Sequence, residues 1–178
     1  MDLKKFIRSI PDYPKKGILF RDITTLIKDE KAFEETINQI IEKSKKFNFN
    51  KIAAIESRGF VFASAVSYIL KKPFIMLRKK NKLPAETHSI DFELEYGTAT
   101  IEVHKDSVNE NDTVLIIDDL IATGGTAEAN TKPLDSIAAI LLKLNFFDFS
   151  IIWLIVSSNA FSSLIKVVMS LNKIPFFG

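Results

Sequence analysis

A thirteen-residue run from Val114 to Thr126 constrains this chain more than any other segment. It reads Val-Leu-Ile-Ile-Asp-Asp-Leu-Ile-Ala-Thr-Gly-Gly-Thr. Its first four residues are apolar and rich in branched side chains, which is typical of a buried parallel strand. Because open α/β sheets bind ligands at the carboxyl ends of their strands, we expect Asp118 and Asp119 to lie at a ligand-binding edge.

The loop after this acid pair has the composition of an anion site. Gly124 and Gly125 let backbone N–H groups approach an anion closely, and Thr123 and Thr126 add hydroxyl donors. A helix starting near Thr126 would add partial positive charge. A Gly-Gly-Thr loop alone is often only a tight turn, so the prediction depends on the complete run. That run predicts a sugar-phosphate site, with the sugar hydroxyls on the carboxylates directly or through Mg²⁺.

Composition bounds the class of protein. The chain has 178 residues, 47% hydrophobic and 26% charged, which suits one soluble domain with a sizeable core. Its net charge of +2 is too small to indicate nucleic-acid binding, and the lack of cysteine excludes disulfides and thiolate metal sites. The first residues have no signal-peptide pattern and no apolar run is long enough for a membrane span, so we expect a cytoplasmic protein.

Strand and helix patterns alternate along the chain, which predicts an α/β fold with a mainly parallel sheet. Asp29 can cap the second of the predicted helices. Helices are expected over 1–9, 30–46 and 60–70, the last apolar on nearly all sides and therefore buried. Strands are expected over 51–55, 74–77, 98–104, 114–118, 137–142 and 151–156.

A second anion loop is predicted at Glu56-Ser57-Arg58-Gly59-Phe60, again between a strand and a helix. Arg58 can bind two oxygens of a phosphate, although it could equally be a surface residue of a turn. Two anion sites in one small sheet favour a ligand with two separated phosphate groups.

Three more segments are candidates. The basic stretch from Arg78 to Glu86 either neutralises a polyanion or is a solvated loop, and residues 78–97 have the length of a mobile lid between two strands. Glu95 is either a general acid or base or an exposed residue near a turn. Phe20 either stacks on a flat base or belongs to the core.

These motifs, in this order and spacing, resemble the type I phosphoribosyltransferases, and among them the adenine phosphoribosyltransferase family. They are carried by Pro11–Asp22, Glu56–Phe60, Arg78–Pro84, Leu94–Gly97 and Val114–Thr126. The resemblance covers residues 1 to about 130 of one domain. It implies a twisted sheet flanked by helices, an N-terminal base-binding hood at 1–27 and a flexible lid at 78–97.

The resemblance also implies a reaction and its residues. Adenine would attack 5-phosphoribosyl 1-pyrophosphate, with Mg²⁺ bound to this donor, to give AMP and pyrophosphate in a homodimer. Glu95 would be the catalytic acid or base, and Asp118 and Asp119 would face the ribose and could share the Mg²⁺. The other implied substrate-binding residues are Leu19, Phe20, Arg21, Glu56, Ser57, Arg58, Arg78, Lys79, Lys82, Tyr96, Ala122, Thr123, Gly124, Gly125 and Thr126.

Two rival functions remain open on the residues alone. One is a hypoxanthine or guanine phosphoribosyltransferase, and the other is a regulator that binds the donor without chemistry. Residues 131–178 depart from the family: Pro133 interrupts the expected helix, and no glycine occurs between Thr126 and Phe177. Our hypothesis is that this atypical tail is a non-native or frame-shifted continuation, which the intact mass of the natural protein would test.

Overall fold

The computed structural model describes residues 1–17, 19–94, 97–109, 111–119, 140–146 and 149–157. A short 3₁₀ helix occupies Leu3–Phe6, and a further 3₁₀ turn occupies Lys105–Ser107. The α-helices are α1 (Thr24–Ile27), α2 (Glu30–Ser44) and α3 (Gly59–Leu70). The strands are β1 (Arg8–Pro11), β2 (Leu19–Asp22), β3 (Lys51–Ile55), β4 (Phe74–Lys79), β5 (Thr87–Leu94), β6 (Gly97–His104), β7 (Thr113–Asp118), β8 (Ile140–Phe146) and β9 (Phe149–Ser157).

The main sheet has seven strands in the order β5-β6-β4-β3-β7-β9-β8. Its centre is parallel, because β3 pairs with β4 on one side and with β7 on the other in the same direction. The pairs β4–β6, β5–β6, β7–β9 and β8–β9 are antiparallel. The α/β class is therefore confirmed, but the expectation of a mainly parallel sheet is wrong for its flanks. Only two residues separate β5 from β6 and β8 from β9, and so short a connection requires antiparallel neighbours.

Helix α2 follows its sequence pattern closely. The Asp29 side chain accepts a hydrogen bond from the Ala32 amide at 2.9 Å, as a capping residue should. Ile37 and Ile40 on its inner face are buried.

Helix α3 differs from its prediction, because only one face packs on the sheet. Its outer face exposes Val61, Ile69 and above all Tyr68, which is 86% exposed.

The N-terminal segment is less helical than expected. Only Leu3–Phe6 is helical, and Arg8–Pro11 pairs antiparallel with Leu19–Asp22 as a separate two-stranded sheet. The Arg8 guanidinium forms an ion pair with Asp22, whose carboxylate also accepts hydrogen bonds from the amide and hydroxyl of Thr24. These bonds lower the pKa of Asp22 to about 2, with the Thr24 hydroxyl contributing most, and they fasten the small sheet to α1.

The predicted lid region at 78–97 is not a long loop. Arg78 and Lys79 complete β4, and Thr87–Leu94 forms a strand paired along its whole length with β6. Ile90, Phe92 and Leu94 alternate with polar residues as in a strand, but the lysine-rich stretch just before them favours a loop. Only residues 80–86 connect the two strands. No helix within the described ranges is long and apolar enough to span a membrane.

The hydrophobic core lies between α2, α3 and the central strands. Phe62, Ile52, Leu115 and Ile117 are among its most completely buried side chains. Because these residues fix β4, β3 and β7 side by side, the carboxyl ends of three parallel strands meet at one edge. The sequence places Arg78, Glu56 and Asp118 at those ends.

Candidate active site

The acid pair lies at the carboxyl end of β7, as predicted. Asp118 is the last residue of the strand, and the following Asp119 is 4% exposed. The Asp119 amide donates a hydrogen bond to Asp118 Oδ1 at 2.9 Å. Burial raises the pKa of Asp118 well above its usual range, and the neighbouring Asp119 charge adds to the rise. Burial also raises the pKa of Asp119, although Arg58 opposes this. Hydroxyl donors or a cation between the two carboxyls would therefore stabilise their ionised forms.

Arg58 connects the acid pair to Phe20 on strand β2. Its Nε lies 2.9 Å from Asp119 Oδ2, and its guanidinium carbon lies 5.8 Å from the centre of the Phe20 ring. The Asp119 contact is an ion pair without hydrogen-bond alignment, because Oδ2 has no geometric hydrogen-bond partner among the described residues. The predicted anion-binding Arg58 and the predicted base-stacking Phe20 therefore belong to one continuous site.

Phe20 lies outside the hydrophobic core. It is partly exposed on β2, and the Tyr13 ring meets it edge-on at a centroid distance of 5.2 Å. Leu19 beside it is 51% exposed, and Arg21 donates a hydrogen bond to the Ser9 hydroxyl. Tyr13 was not among the predicted site residues, although it lies in the Pro11–Pro14 motif that carried part of the resemblance.

Gly59 was also missed as a determinant of this site. It begins α3, and a Cβ added there would lie 2.8 Å from the Ile117 carbonyl oxygen and 3.0 Å from Asp118 Oδ1. Glycine thus allows the first turn of α3 to approach the end of β7 closely. The signal in the sequence was the glycine between a predicted strand and a predicted helix.

A basic cluster surrounds Glu56 at the carboxyl ends of β3 and β4. Lys82 Nζ lies 2.6 Å from Glu56 Oε1, and Arg78 Nε lies 3.4 Å from Oε2. The Lys79 amide donates to Oε2 at 3.1 Å. Burial alone would raise the pKa of Glu56, but hydrogen bonds from Lys82, the Lys79 amide and Arg78 together lower it to about 2.

Other predicted site residues are either exposed or outside the described part. Ser57 is exposed in the turn between β3 and α3, where its carbonyl accepts the Phe60 amide at 3.2 Å. The remaining ones are outside the described residues, namely Glu95, Tyr96, Ala122, Thr123, Gly124, Gly125 and Thr126.

The donor set offers limited metal binding by itself. Over the described residues, no group of three or more acidic or histidine side chains could hold a metal ion. Asp118 and Asp119 are nevertheless two adjacent carboxyls, one partly buried and one buried, whose raised pKa values would fall if a cation came between them. Mg²⁺ commonly takes one or two protein carboxylates and completes its shell with substrate oxygens and water, and this pair fits that pattern.

Comparison with known proteins gives one consistent result. The phosphoribosyl transferase domain family matches residues 23–139. The chain is 76% identical over 152 residues to an adenine phosphoribosyltransferase of Pelagibacter ubique (strain HTCC1062), covering 83% of this chain and 87% of the relative.

Solved structures agree with the sequence relatives. An adenine phosphoribosyltransferase from Thermoanaerobacter pseudethanolicus superposes with a TM-score of 0.66 at 51% identity, covering 72% of this chain and 74% of that one. The Saccharomyces cerevisiae enzyme, solved with adenine and an imino-altritol bisphosphate, gives a TM-score of 0.64 at 33% identity, covering 72% and 75%. The chain therefore belongs to the phosphoribosyl transferase domain family and, within it, to the adenine phosphoribosyltransferases.

Proposed function

We propose that this protein transfers the 5-phosphoribosyl group of 5-phosphoribosyl 1-pyrophosphate to adenine, giving AMP and pyrophosphate in purine salvage. The observation that carries the proposal is the joint placement of the acid pair Asp118–Asp119 and the basic cluster around Glu56 at one sheet edge, with the Phe20 ring beside them. Arg58 bridges the first and the last of these. The close relatives bear the name of this enzyme, so a hypoxanthine or guanine enzyme and a donor-binding regulator are not favoured.

The proposed roles follow the position of each group. Phe20 stacks on adenine, with the backbone of Leu19 and Arg21 reading the edge of the base. Arg58, Arg78, Lys79 and Lys82 neutralise pyrophosphate. The charge and geometry of the cluster around Glu56 support this assignment, since a polyanion needs several cations close together.

The ribose is proposed to lie over Asp118 and Asp119. Departure of pyrophosphate leaves positive charge on C1 of the ribose, and two carboxylates beside it stabilise that charge. Their raised pKa values support a site that gains from hydrogen-bond donors, because ribose hydroxyls would favour the ionised carboxylates.

Further roles are proposed for residues outside the described part. Glu95 serves as the acid or base near the adenine ring, and Tyr96 accompanies it on the lid. Ala122, Thr123, Gly124, Gly125 and Thr126 hold the 5′-phosphate through backbone amides and hydroxyls, as their composition suggests. Strands β5 and β6, with the two residues between them, are proposed to act as the lid that keeps water from the donor.

Mg²⁺ is the proposed metal, held by Asp118 and Asp119 together with oxygens of the donor. When bound, it neutralises part of the negative charge of the donor.

We also propose a cytoplasmic homodimer that binds no nucleic acid or membrane. The exposed apolar face of α3, with Val61, Tyr68 and Ile69, supports a protein–protein contact.

The test is pyrophosphate release by the purified chain with Mg²⁺, the donor and one base at a time. Release with adenine, and none with hypoxanthine or guanine, is the expected result. Release with another purine instead would support the rival enzyme, and donor binding without release would support the regulator. The oligomeric state is measured in parallel by sedimentation, with Tyr68→Ser as the variant expected to weaken the dimer.

A further inference from the structure

Glu56 presents an electrostatic conflict within the proposed pyrophosphate site. Its carboxylate is surrounded by the cations assigned to the pyrophosphate, and its side chain is only 10% exposed. A carboxylate cannot itself bind an anionic pyrophosphate, because the two charges repel. Its presence therefore reduces the net positive charge available to the substrate. Because Glu56 weakens the attraction of the site for an anion, we expect its carboxylate to bring a benefit to the same site.

The geometry around Glu56 closes a ring. Glu56 continues the parallel pairing of β3 with β4, since its amide donates to the Leu77 carbonyl at 2.9 Å. One carboxylate oxygen binds the Lys82 ammonium and the other faces both the Arg78 Nε and the Lys79 amide. The Arg78 guanidinium in turn donates to the Lys82 carbonyl at 3.0 Å. The turn from Arg78 to Lys82 is thus wrapped around one buried carboxylate.

This ring opposes the natural tendency of the two cations to separate. Arg78 and Lys82 carry like charges on long side chains, 30% and 45% exposed, and would lose rotamer freedom when held together. A shared carboxylate offsets their repulsion and sets their direction before any substrate arrives. Binding then has less ordering to accomplish, which is the general advantage of preorganisation.

We propose that Glu56 is a positioning residue that holds Arg78 and Lys82 in the geometry that binds pyrophosphate, and that it does not contact the substrate itself. This inference rests on the proposed function and refines it. Pyrophosphate then binds to Arg78 and Lys82, which Glu56 already holds close together. This carboxylate holds both ends of the turn from Arg78 to Lys82, while Glu102 accepts the Asn81 amide in its middle.

The test compares Glu56→Ala and Glu56→Gln with the unmodified full-length protein. Calorimetry measures the binding of pyrophosphate with Mg²⁺, and steady-state kinetics measures KM separately for the donor and for adenine. Both variants are expected to weaken pyrophosphate binding and to raise the donor KM at least about tenfold, with adenine KM changed by less than about twofold. Glu42→Ala removes an exposed glutamate paired with Lys45 on α2 and serves as the matched control.

A double-mutant cycle with Lys82→Ala tests whether Glu56 acts through this lysine. If it does, Glu56→Ala in the Lys82→Ala background changes pyrophosphate affinity by much less than in the parent protein. Additive effects would overturn the inference, as would tighter pyrophosphate binding by Glu56→Gln, because that outcome makes Glu56 only a repulsive charge. If the Glu56 variants raised the KM for the donor and the KM for adenine by the same factor and also lowered the melting temperature, Glu56 would be a purely structural residue. That outcome too would overturn the inference.

The outcome also separates this inference from the proposed function. If the unmodified protein binds pyrophosphate and releases it with adenine while both Glu56 variants behave normally, only the positioning role fails. If the unmodified protein binds no pyrophosphate, the cluster has another purpose and the positioning role fails with the function.

Discussion

Replacing Gly59 with alanine should disturb the candidate active site from within the core. The added Cβ would lie 2.8 Å from the Ile117 carbonyl oxygen, 3.0 Å from Asp118 Oδ1 and 3.3 Å from Asp118 Cα. Two of these three atoms are backbone and cannot rotate away. Ordinary van der Waals contacts begin near 3.4 Å, so relief requires α3 and the end of β7 to separate by roughly 0.6 Å.

The cost can be estimated from the packing. Overpacking of this kind costs about 1–3 kcal/mol, while alanine recovers up to about 1 kcal/mol of helix propensity. A net loss of about 1–2 kcal/mol would lower the melting temperature by roughly 2–8 °C in a chain of this size. Since a displacement of about 1 Å can cost ~10²-fold in rate, a shift of roughly 0.6 Å at Asp118 should lower kcat/KM for the donor by about tenfold or somewhat more.

The assay combines thermal melting with steady-state kinetics at saturating adenine. Ser64→Ala, on the exposed side of the same helix, is the control for a change of helix composition alone. An unchanged melting temperature would show that α3 can retreat without strain. A lower melting temperature with an unchanged kcat/KM would refute the idea that Gly59 sets the position of Asp118.

Three further outcomes follow from the same geometry. Phe20→Ala should raise KM for adenine about 10- to 100-fold, since stacking on an aromatic ring contributes ~1–3 kcal/mol, and donor KM should change by less than about threefold. Asp118→Asn should lower kcat by roughly 10²-fold. It should also raise the urea midpoint of unfolding near neutral pH, because the raised pKa of Asp118 means that its ionised form destabilises the folded protein. This gain in urea midpoint should shrink as pH falls through the raised pKa to below 3.8, where Asp118 is protonated in both states. Glu56, whose pKa is lowered from 4.5 to about 2, should add up to about 3 kcal/mol of stability above pH 4.5 that is lost as pH falls toward 2, so the difference in urea midpoint between the protein and Glu56→Gln should narrow over that range.

Local chemistry made part of this fold predictable. The Asp29 cap and the apolar spacing of α2 depend on residues close in sequence, and the helix appears at Glu30–Ser44. The strands at Lys51–Ile55 and Thr113–Asp118 were equally visible as short apolar runs. The position of Asp118 at a strand end followed directly, because a strand that ends in a carboxylate brings it to the sheet edge.

Tertiary packing decided what the sequence pattern could not. The apolar composition of α3 suggested complete burial, yet a helix lying on a sheet buries only the face that touches it, and Tyr68 points away. The strand Thr87–Leu94 was within reach of the sequence, because Ile90, Phe92 and Leu94 alternate with polar residues, but the lysine-rich stretch before it favours a loop. The Arg58–Asp119 pair joins loops from different strands, so no local spacing could reveal it.

The charges at this sheet edge are paired before any ligand is present, and this shapes how the site can recognise a donor. Arg58 faces Asp119, while Arg78 and Lys82 face Glu56. Each pair links neighbouring strands of the order β4-β3-β7, so the ion pairs stiffen the edge on which they lie. A lone phosphate group would have to displace Asp119 from Arg58, or Glu56 from Arg78 and Lys82, and would therefore bind weakly. A ligand whose phosphate oxygens bind Arg58 takes that cation away from Asp119. If the same ligand also donates ribose hydroxyls to Asp118 and Asp119, these hydrogen bonds replace the lost ion pair, so the two interactions favour each other. Selectivity for a sugar carrying pyrophosphate then arises from the coupling of the two pairs, since neither cluster alone distinguishes such a donor from a simple anion.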